Sequence, residues 1–293
     1  MQVAIFGRNL KAQDVGYVQN LFDLLHQHGI STCVFTPYLR EIEPIIRFKN
    51  QVSVFTYHSE LTTAAFDFVI TLGGDGTILD AVTYVHNSGV PILGINMGRL
   101  GYLASIEKHR MHEAIEALQH GRYQLDQRTL LQLESNLPLF GDTCFALNDC
   151  TVLKRDTSSM ISIKTFINGD FLTTFWADGM IIATPTGSTG YSLSCGGPII
   201  FPDSSSFIIT PVAPHNLNIR PIVISDRSVI SFHVEGRTEN FFCTLDSRFE
   251  TITAEHRISL RKSDFSVSLV RLNNQGLHQT LREKLAWGID VRN

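Results

Sequence analysis

An α/β domain with a mostly parallel sheet, followed by an all-β sandwich-like domain, is the fold class that this sequence predicts. Two observations predict it. Strand-length apolar runs alternate with helix-spaced apolar residues as far as about residue 122, and beyond that point strand signals dominate. A length of 293 residues is also enough for two domains with cores of their own.

Taken in order, residues 3–6 read as a buried strand. Val15, Val18, Phe22 and Leu25 recur at helical spacing, and Gly29 can end that helix. A second strand covers 32–35, a third 66–71, a helix 78–86, and a further buried strand 90–95. Met111, Ile115 and Leu118 mark another helix, closed by Gly121. Strands are then expected over 145–147, 160–167, 171–175, 180–183, 229–234, 241–245, 257–260 and 265–272. Asn168-Gly169 between two of these runs signals a hairpin. A short helix over 277–285 closes the chain. The expected domains are 1–122, joined by the segment 274–293, and 123–273.

A net charge of −4 gives no support to a nucleic-acid or membrane surface as the main partner. Five scattered cysteines without a CxxC pair argue for a reducing cytoplasm and against a zinc site. The N-terminus turns polar too early for a signal peptide, and no apolar run approaches the roughly 18 residues of a membrane span. The eleven histidines form no metal-ligand spacing, and no metal-binding residue is expected.

Three clusters can carry chemistry. Gly73-Gly74-Asp75-Gly76-Thr77 follows a strand and opens a helix, where uncovered N–H groups and the helix dipole favour a phosphate. It is neither a dinucleotide fingerprint nor a Walker loop, and its aspartate makes sense as a proton acceptor or a metal contact. Read alone it also fits a tight turn with an exposed acid. Residues 184–198 combine hydroxyls and glycines, then return at once to apolar sequence, as an ordered ligand-lining loop does. Asn148-Asp149 at a strand end can read a ribose diol or a base edge, and as an isolated pair it also reads as a turn.

In order and spacing these clusters resemble the NAD kinase family, from about residue 66 to residue 248. Gly94-Ile95-Asn96-Met97-Gly98-Arg99-Leu100-Gly101-Tyr102-Leu103 looks like the family's turn after the next strand. The glycine-aspartate motif is shared with lipid kinases and phosphofructokinases, whereas the 184–198 loop is far more specific. The resemblance implies transfer of the γ-phosphoryl of ATP, with Mg²⁺ or another divalent ion, to the 2′-hydroxyl of the adenosine ribose of NAD. It implies an active site between the two domains and a homodimer or homotetramer. Asp75 would be the general base or the orienter of the hydroxyl, and Gly74 and Gly76 would let backbone approach phosphate. Asn148 and Asp149 would contact the adenine and ribose, Tyr102 the adenine, and Asp178 the nicotinamide amide. Thr186, Thr189, Gly190, Tyr191, Ser192 and Ser194 would line the NAD pocket, with Arg248 near the dinucleotide. Tyr102 also reads as core packing, and Arg248 as a solvated strand end.

Some residues depart from the family pattern. Asp149 stands where glutamate is more usual, Gly190 replaces alanine, and Arg248 replaces glutamine or another polar residue. Two alternatives stay open on the sequence: a lipid kinase sharing the glycine-aspartate motif, and a non-catalytic NAD(P)-binding sensor.

Overall fold

A computed structural model describes residues 1–63, 65–98, 101–155, 159–272 and Arg282. The chain forms two compact units: Met1–Gln127 with Val267–Asn293, and Arg128–Ser266.

Five parallel strands make the body of the first unit, in the order Ile92–Asn96, Phe68–Gly73, Gln2–Gly7, Ser31–Phe35 and Ser53–Phe55. Ile106–Glu107 pairs parallel with Ile92–Asn96, and Leu269 of the strand Ile258–Leu272 faces Ile92. Successive strand residues point to opposite faces, so a strand covered on both sides must be apolar throughout. Val3, Ala4 and Ile5 are fully buried, which accounts for their unbroken run. Helix Val15–Gln27 is different. It buries Val18, Leu21, Phe22, Leu24 and Leu25 along one side. Gly29 and Gly121 follow helices at φ +65° and +66°, the left-handed conformation that ends a helix at no Cβ cost. Register places Gly7 beside Leu72 and Gly73 beside Asn96. Three loops therefore leave the same carboxyl edge of this sheet, the usual ligand edge of an open parallel sheet.

Two antiparallel sheets form the second unit. One runs Ile222–Ser225, Ser206–Val212, Gly179–Ala183, Asp149–Lys154, Phe241–Leu245 and Arg248–Ile252. The other contains Asp170–Ala177, Ile161–Ile167 and Ile230–Glu235, followed by the start of Ile258–Leu272. Val152, Met180, Ile182, Phe207 and Phe241 of the first sheet share a core with Ile163, Phe175, Phe232 and Leu260 of the second. This is the face-to-face packing of a sandwich. Ile181, Ala183 and Ile208 form a separate cluster with Cys195, Ile200 and Val212 packed on it. The strand Gly179–Ala183 is thus apolar at every position because it is covered on both faces. Asn168 and Gly169, at φ +53° and +90°, form the turn between Ile161–Ile167 and Asp170–Ala177.

Residues 257–260 and 265–272, separate strands by sequence pattern, belong to the single strand Ile258–Leu272. The polar stretch between them resembles a turn in sequence. In the fold Arg261 pairs with Glu134 at 2.7 Å and Lys262 with Asp226 at 2.5 Å, so the charges are satisfied without leaving the strand. Strands Tyr123–Ser135, Asp149–Lys154, Ser206–Val212, Ile222–Ser225 and Arg248–Ile252 were not expected, nor were Ser53–Phe55 and the helices Thr36–Ile42 and His58–Thr63. The helix expected over 277–285 falls outside the described residues, apart from Arg282.

Close strand packing makes Gly179 testable. A Cβ there would lie 2.2 Å from the Val152 carbonyl oxygen on the neighbouring strand. Gly179→Ala is expected to lower stability by about 1–3 kcal/mol, read as a lower urea midpoint. An unchanged midpoint would contradict the packing.

Candidate active site

Asp75 is the first residue of the helix Asp75–Val85, with Gly74 before it at the cap position. Its carboxylate does not point freely outward. Oδ2 accepts the Tyr102 N–H at 2.7 Å, and Oδ1 accepts the N–H groups of Leu103 and Ala104 at 3.0 and 2.9 Å. Asn96 braces the same loop, donating to the Ala104 carbonyl at 3.2 Å and accepting the Gly98 N–H at 2.7 Å. Charge-assisted bonds of this kind are stronger than neutral ones, so the loop is held to the acid. Gly101 makes the approach feasible, because a Cβ there would stand 1.7 Å from Asp75 Oδ1. Gly73 is equally constrained, with Thr77 Oγ1 at 2.0 Å from a built Cβ. Gly74 and Gly76 differ: no atom lies within 4 Å of a Cβ at either position. They are glycines facing open space, which suits close approach of a ligand to backbone rather than internal packing. Tyr102 is half-buried, and burial followed by the charge of Asp75 pushes its hydroxyl pKa up. Arg99 and Leu100 lie outside the described residues.

In the second unit, Asn148-Asp149 forms a corner held from two sides. Asp246, at φ +55° in the turn after Phe241–Leu245, accepts the N–H groups of Leu147, Asn148 and Asp149 at 2.9, 2.7 and 3.2 Å. From the other side the Thr184 hydroxyl donates to the Leu147 carbonyl at 2.6 Å and accepts the Gly187 N–H at 3.1 Å. Gly187 sits so close that a Cβ would meet the Asn148 carbonyl oxygen at 2.1 Å. Asp149 is 7% exposed, and its carboxylate accepts the Thr151 hydroxyl at 3.0 Å. Burial, then the like charge of Asp246, pushes its pKa up to about 7. Burial raises Asp246 as well, but three N–H donors oppose the rise. Asp149, with a hydroxyl donor from Thr151 where Asp246 has three N–H donors, is the less stabilised of the two anions.

The 184–198 loop divides into ligand-facing and structural positions. Thr186 is buried and accepts a hydrogen bond from Arg128 Nη1 at 3.0 Å. Ser192 is fully buried and bonds to Thr210 Oγ1 at 2.8 Å, so it holds the loop to the neighbouring strand instead of facing outward. Thr189 is half-buried, and Tyr191 and Ser194 are exposed. Burial, Cys195 and the nearby charges of Asp149 and Asp178 raise the Tyr191 hydroxyl pKa. A Cβ on Gly190 would come within 3.2 Å of the Gly187 carbonyl and 3.9 Å of Asp149 Oδ2. Glycine here keeps space beside the acid.

Asp178 pairs with Lys154 at 2.6 Å. Arg248 donates to the carbonyls of Thr143 and Phe145 and lies over the rings of Phe140 and Phe145. It is tied into the protein rather than solvated. Among the described residues, no group of three or more His, Cys, Asp or Glu is placed to hold a metal ion. Sequence reasoning missed Thr184 and Asp246. The signal for Asp246 is its place just after the apolar strand run 241–245, where Asp tolerates a left-handed turn.

The raised pKa of Asp149 carries a stability consequence. Because the folded-state pKa lies above the unfolded value, the acid favours the fold at low pH, and that contribution is lost as pH rises through about 7. Asp149→Asn removes the loss. It is expected to stabilise the protein by roughly 2–4 kcal/mol at pH 8 and by little near pH 4, measured by denaturant unfolding. Equal effects at both pH values would contradict the buried-acid account.

Residues 3–123 match the family model of the ATP-NAD kinase N-terminal domain, and residues 147–272 that of the ATP-NAD kinase C-terminal domain. The chain is 43% identical over 296 residues to a protein named NAD kinase from Cytophaga hutchinsonii, and 46% identical over 292 residues to one from Bacteroides fragilis. Each alignment covers 100% of both chains. Yeast NADH kinase, solved with NADH, shares the fold at a TM-score of 0.89 with 22% identity, over 99% of this chain and 88% of that one. An NAD kinase from Archaeoglobus fulgidus, solved with ATP, matches at a TM-score of 0.75 and 26% identity, over 98% of this chain and 99% of the other. With both halves matched in order and relatives aligned end to end, the chain belongs to the NAD kinase family.

Proposed function

We propose that this chain transfers the γ-phosphoryl group of ATP to the 2′-hydroxyl of the adenosine ribose of NAD, forming NADP. The observation that carries the reading is the Asp75 carboxylate, pinned by three backbone N–H groups beside two glycines that face open space. A carboxylate has about four acceptor positions, and these bonds use two on Oδ1 and one on Oδ2. The position left on Oδ2 is the one assigned to the ribose hydroxyl. Phosphoryl transfer through a loose transition state depends on alignment and charge neutralisation more than on early proton removal. A rigidly held acid meets that requirement, because it orients the hydroxyl and receives its proton as the new P–O bond forms. General-base assistance of this kind is worth about 10²–10⁴-fold.

Gly74 and Gly76 expose backbone to the phosphates of ATP, whose divalent ion arrives with it as part of the substrate complex. Asn148 and Asp149 take the adenosine ribose and adenine of NAD. Tyr102, Thr186, Thr189, Gly190, Tyr191 and Ser194 supply further contacts, and Asp178 meets the nicotinamide amide. Ser192 and Arg248 support that site through the loop and strand they fasten. A lipid-kinase reading draws on Gly73–Thr77 alone and leaves the corner at Asp149 without a purpose. Among the described residues no helix is long and apolar enough to cross a membrane. The reaction is assigned to the cytoplasm, in a homodimer or homotetramer. Phe171 and Trp176, 58% and 57% exposed on the strand Asp170–Ala177, supply apolar surface for such association.

The direct test supplies purified protein with ATP, Mg²⁺ and NAD and reads NADP with a coupled dehydrogenase. Absence of NADP across metals and phosphoryl donors would overturn the reading. Asp75→Asn is expected to reduce kcat by about 10²-fold or more. It also places an amide donor where three N–H groups converge, so the KM for NAD is expected to rise through the Tyr102 loop. Gly101→Ala keeps the acid but crowds it, and is expected to lower kcat at least tenfold. Near-normal turnover in either variant would refute the role given to Asp75.

A further inference from the structure

We infer that Asp246 is a positioning residue of the NAD site: it fixes the Asn148-Asp149 corner through backbone hydrogen bonds and places a like charge near the Asp149 carboxylate that meets NAD. The inference rests on the assignment of Asn148 and Asp149 to NAD.

The geometry is specific. A single side chain gathers three consecutive N–H groups, those of Leu147, Asn148 and Asp149. The backbone answers in return, since the Asp246 N–H donates to the Asp149 carbonyl at 3.0 Å. Two residues on, Arg248 donates to the carbonyls of Thr143 and Phe145. One short turn thus holds the 143–149 segment by both kinds of backbone group, the acid taking donors and the base taking acceptors. Asp246 adopts φ +55° to do so, a conformation open to Asp at modest cost and uncommon for other side chains.

Asp149 depends on this arrangement twice. Its backbone is held by Asp246, and its carboxylate lies close enough to feel the Asp246 charge. Other described groups lie near the pair. Thr151 donates a hydroxyl to Asp149 from its own strand. Tyr191 approaches Asp149 from the helix Tyr191–Ser194. The sulfurs of Cys150 and Cys243 lie 4.0 Å apart, and the contact with Cys243, then burial, pushes the Cys150 pKa up. Arg248 is the nearby cation and acts on Asp246. The Asp178 charge reaches Tyr191 but is paired with Lys154. Protonated Asp149 loses an acceptor for the ribose hydroxyls, so NAD binding weakens as pH falls below about 7. Neutralising Asp246 removes a like charge, and Asp149 then ionises at lower pH.

The experiment measures NAD binding by calorimetry from pH 5.5 to 8.5, alongside NADP formation. Wild type is expected to lose affinity on the acid side with a midpoint near 7. Asp246→Asn keeps one acceptor oxygen. It is expected to weaken NAD binding about tenfold at pH 8 and to move the acid midpoint down by at least about half a pH unit. Thr184→Val loosens the same corner without changing charge, and is expected to weaken binding with the midpoint in place. A folded Asp246→Asn protein whose midpoint stays put would overturn the inference. So would a wild-type profile that is flat across the range, which decides the matter even where the variant does not fold. Because binding is read without turnover, a chain that bound NAD in this pH-dependent way yet formed no NADP would refute the kinase assignment and leave the role of Asp246 standing.

Discussion

A carboxylate that accepts three backbone N–H groups holds a loop more firmly than apolar contact can, because the bonds are directional and charge-assisted. This protein uses that interaction in both units. Asp75 collects Tyr102, Leu103 and Ala104, and Asp246 collects Leu147, Asn148 and Asp149. Each captured segment carries residues assigned to the ligand. The acids cannot be exchanged for amides without leaving an N–H group against a donor.

Such close approach places a second requirement on the backbone. Where the chain must pass next to a carboxylate or a carbonyl, there is no room for a side chain. Gly101 against Asp75 and Gly187 against Asn148 are the two sharpest cases. Gly74 and Gly76 are glycines of another kind, with nothing near them inside the protein. The motif Gly73-Gly74-Asp75-Gly76-Thr77 thus mixes one packing glycine with two that face outward, a division its spelling does not reveal.

The two acids of the second unit also differ in their work, although both are enclosed. Asp246 has three N–H donors and a nearby arginine, while Asp149 has a single hydroxyl donor. Environment, not residue type, separates them: the N–H donors and the arginine work against the burial that raises Asp246, whereas burial and like charge push Asp149 up to about 7. A glutamate at position 149 would reach one methylene further. Here the shorter acid sits beside Gly190, which keeps space open.

The two-unit fold class was legible in local sequence, because burial on one or both faces leaves a period that each segment carries by itself. The runs at 3–6, 180–183 and 241–245 are examples. Asp75, Asn148 and the 184–198 loop were legible for the same reason: glycine, hydroxyl and acid spacing is a short-range property. Strands Tyr123–Ser135 and Arg248–Ile252 were not, since their polar residues suggest loops until a neighbouring strand supplies pairing. Ser192, expected among the ligand-lining residues, is buried and bonded to Thr210, eighteen residues away. What only the tertiary structure decided is which distant groups meet: Asp75 with a loop 27 residues on, and Asp246 with an amide 97 residues back. Sheet register and turn geometry set those meetings, and neither leaves a trace in the period of a single segment.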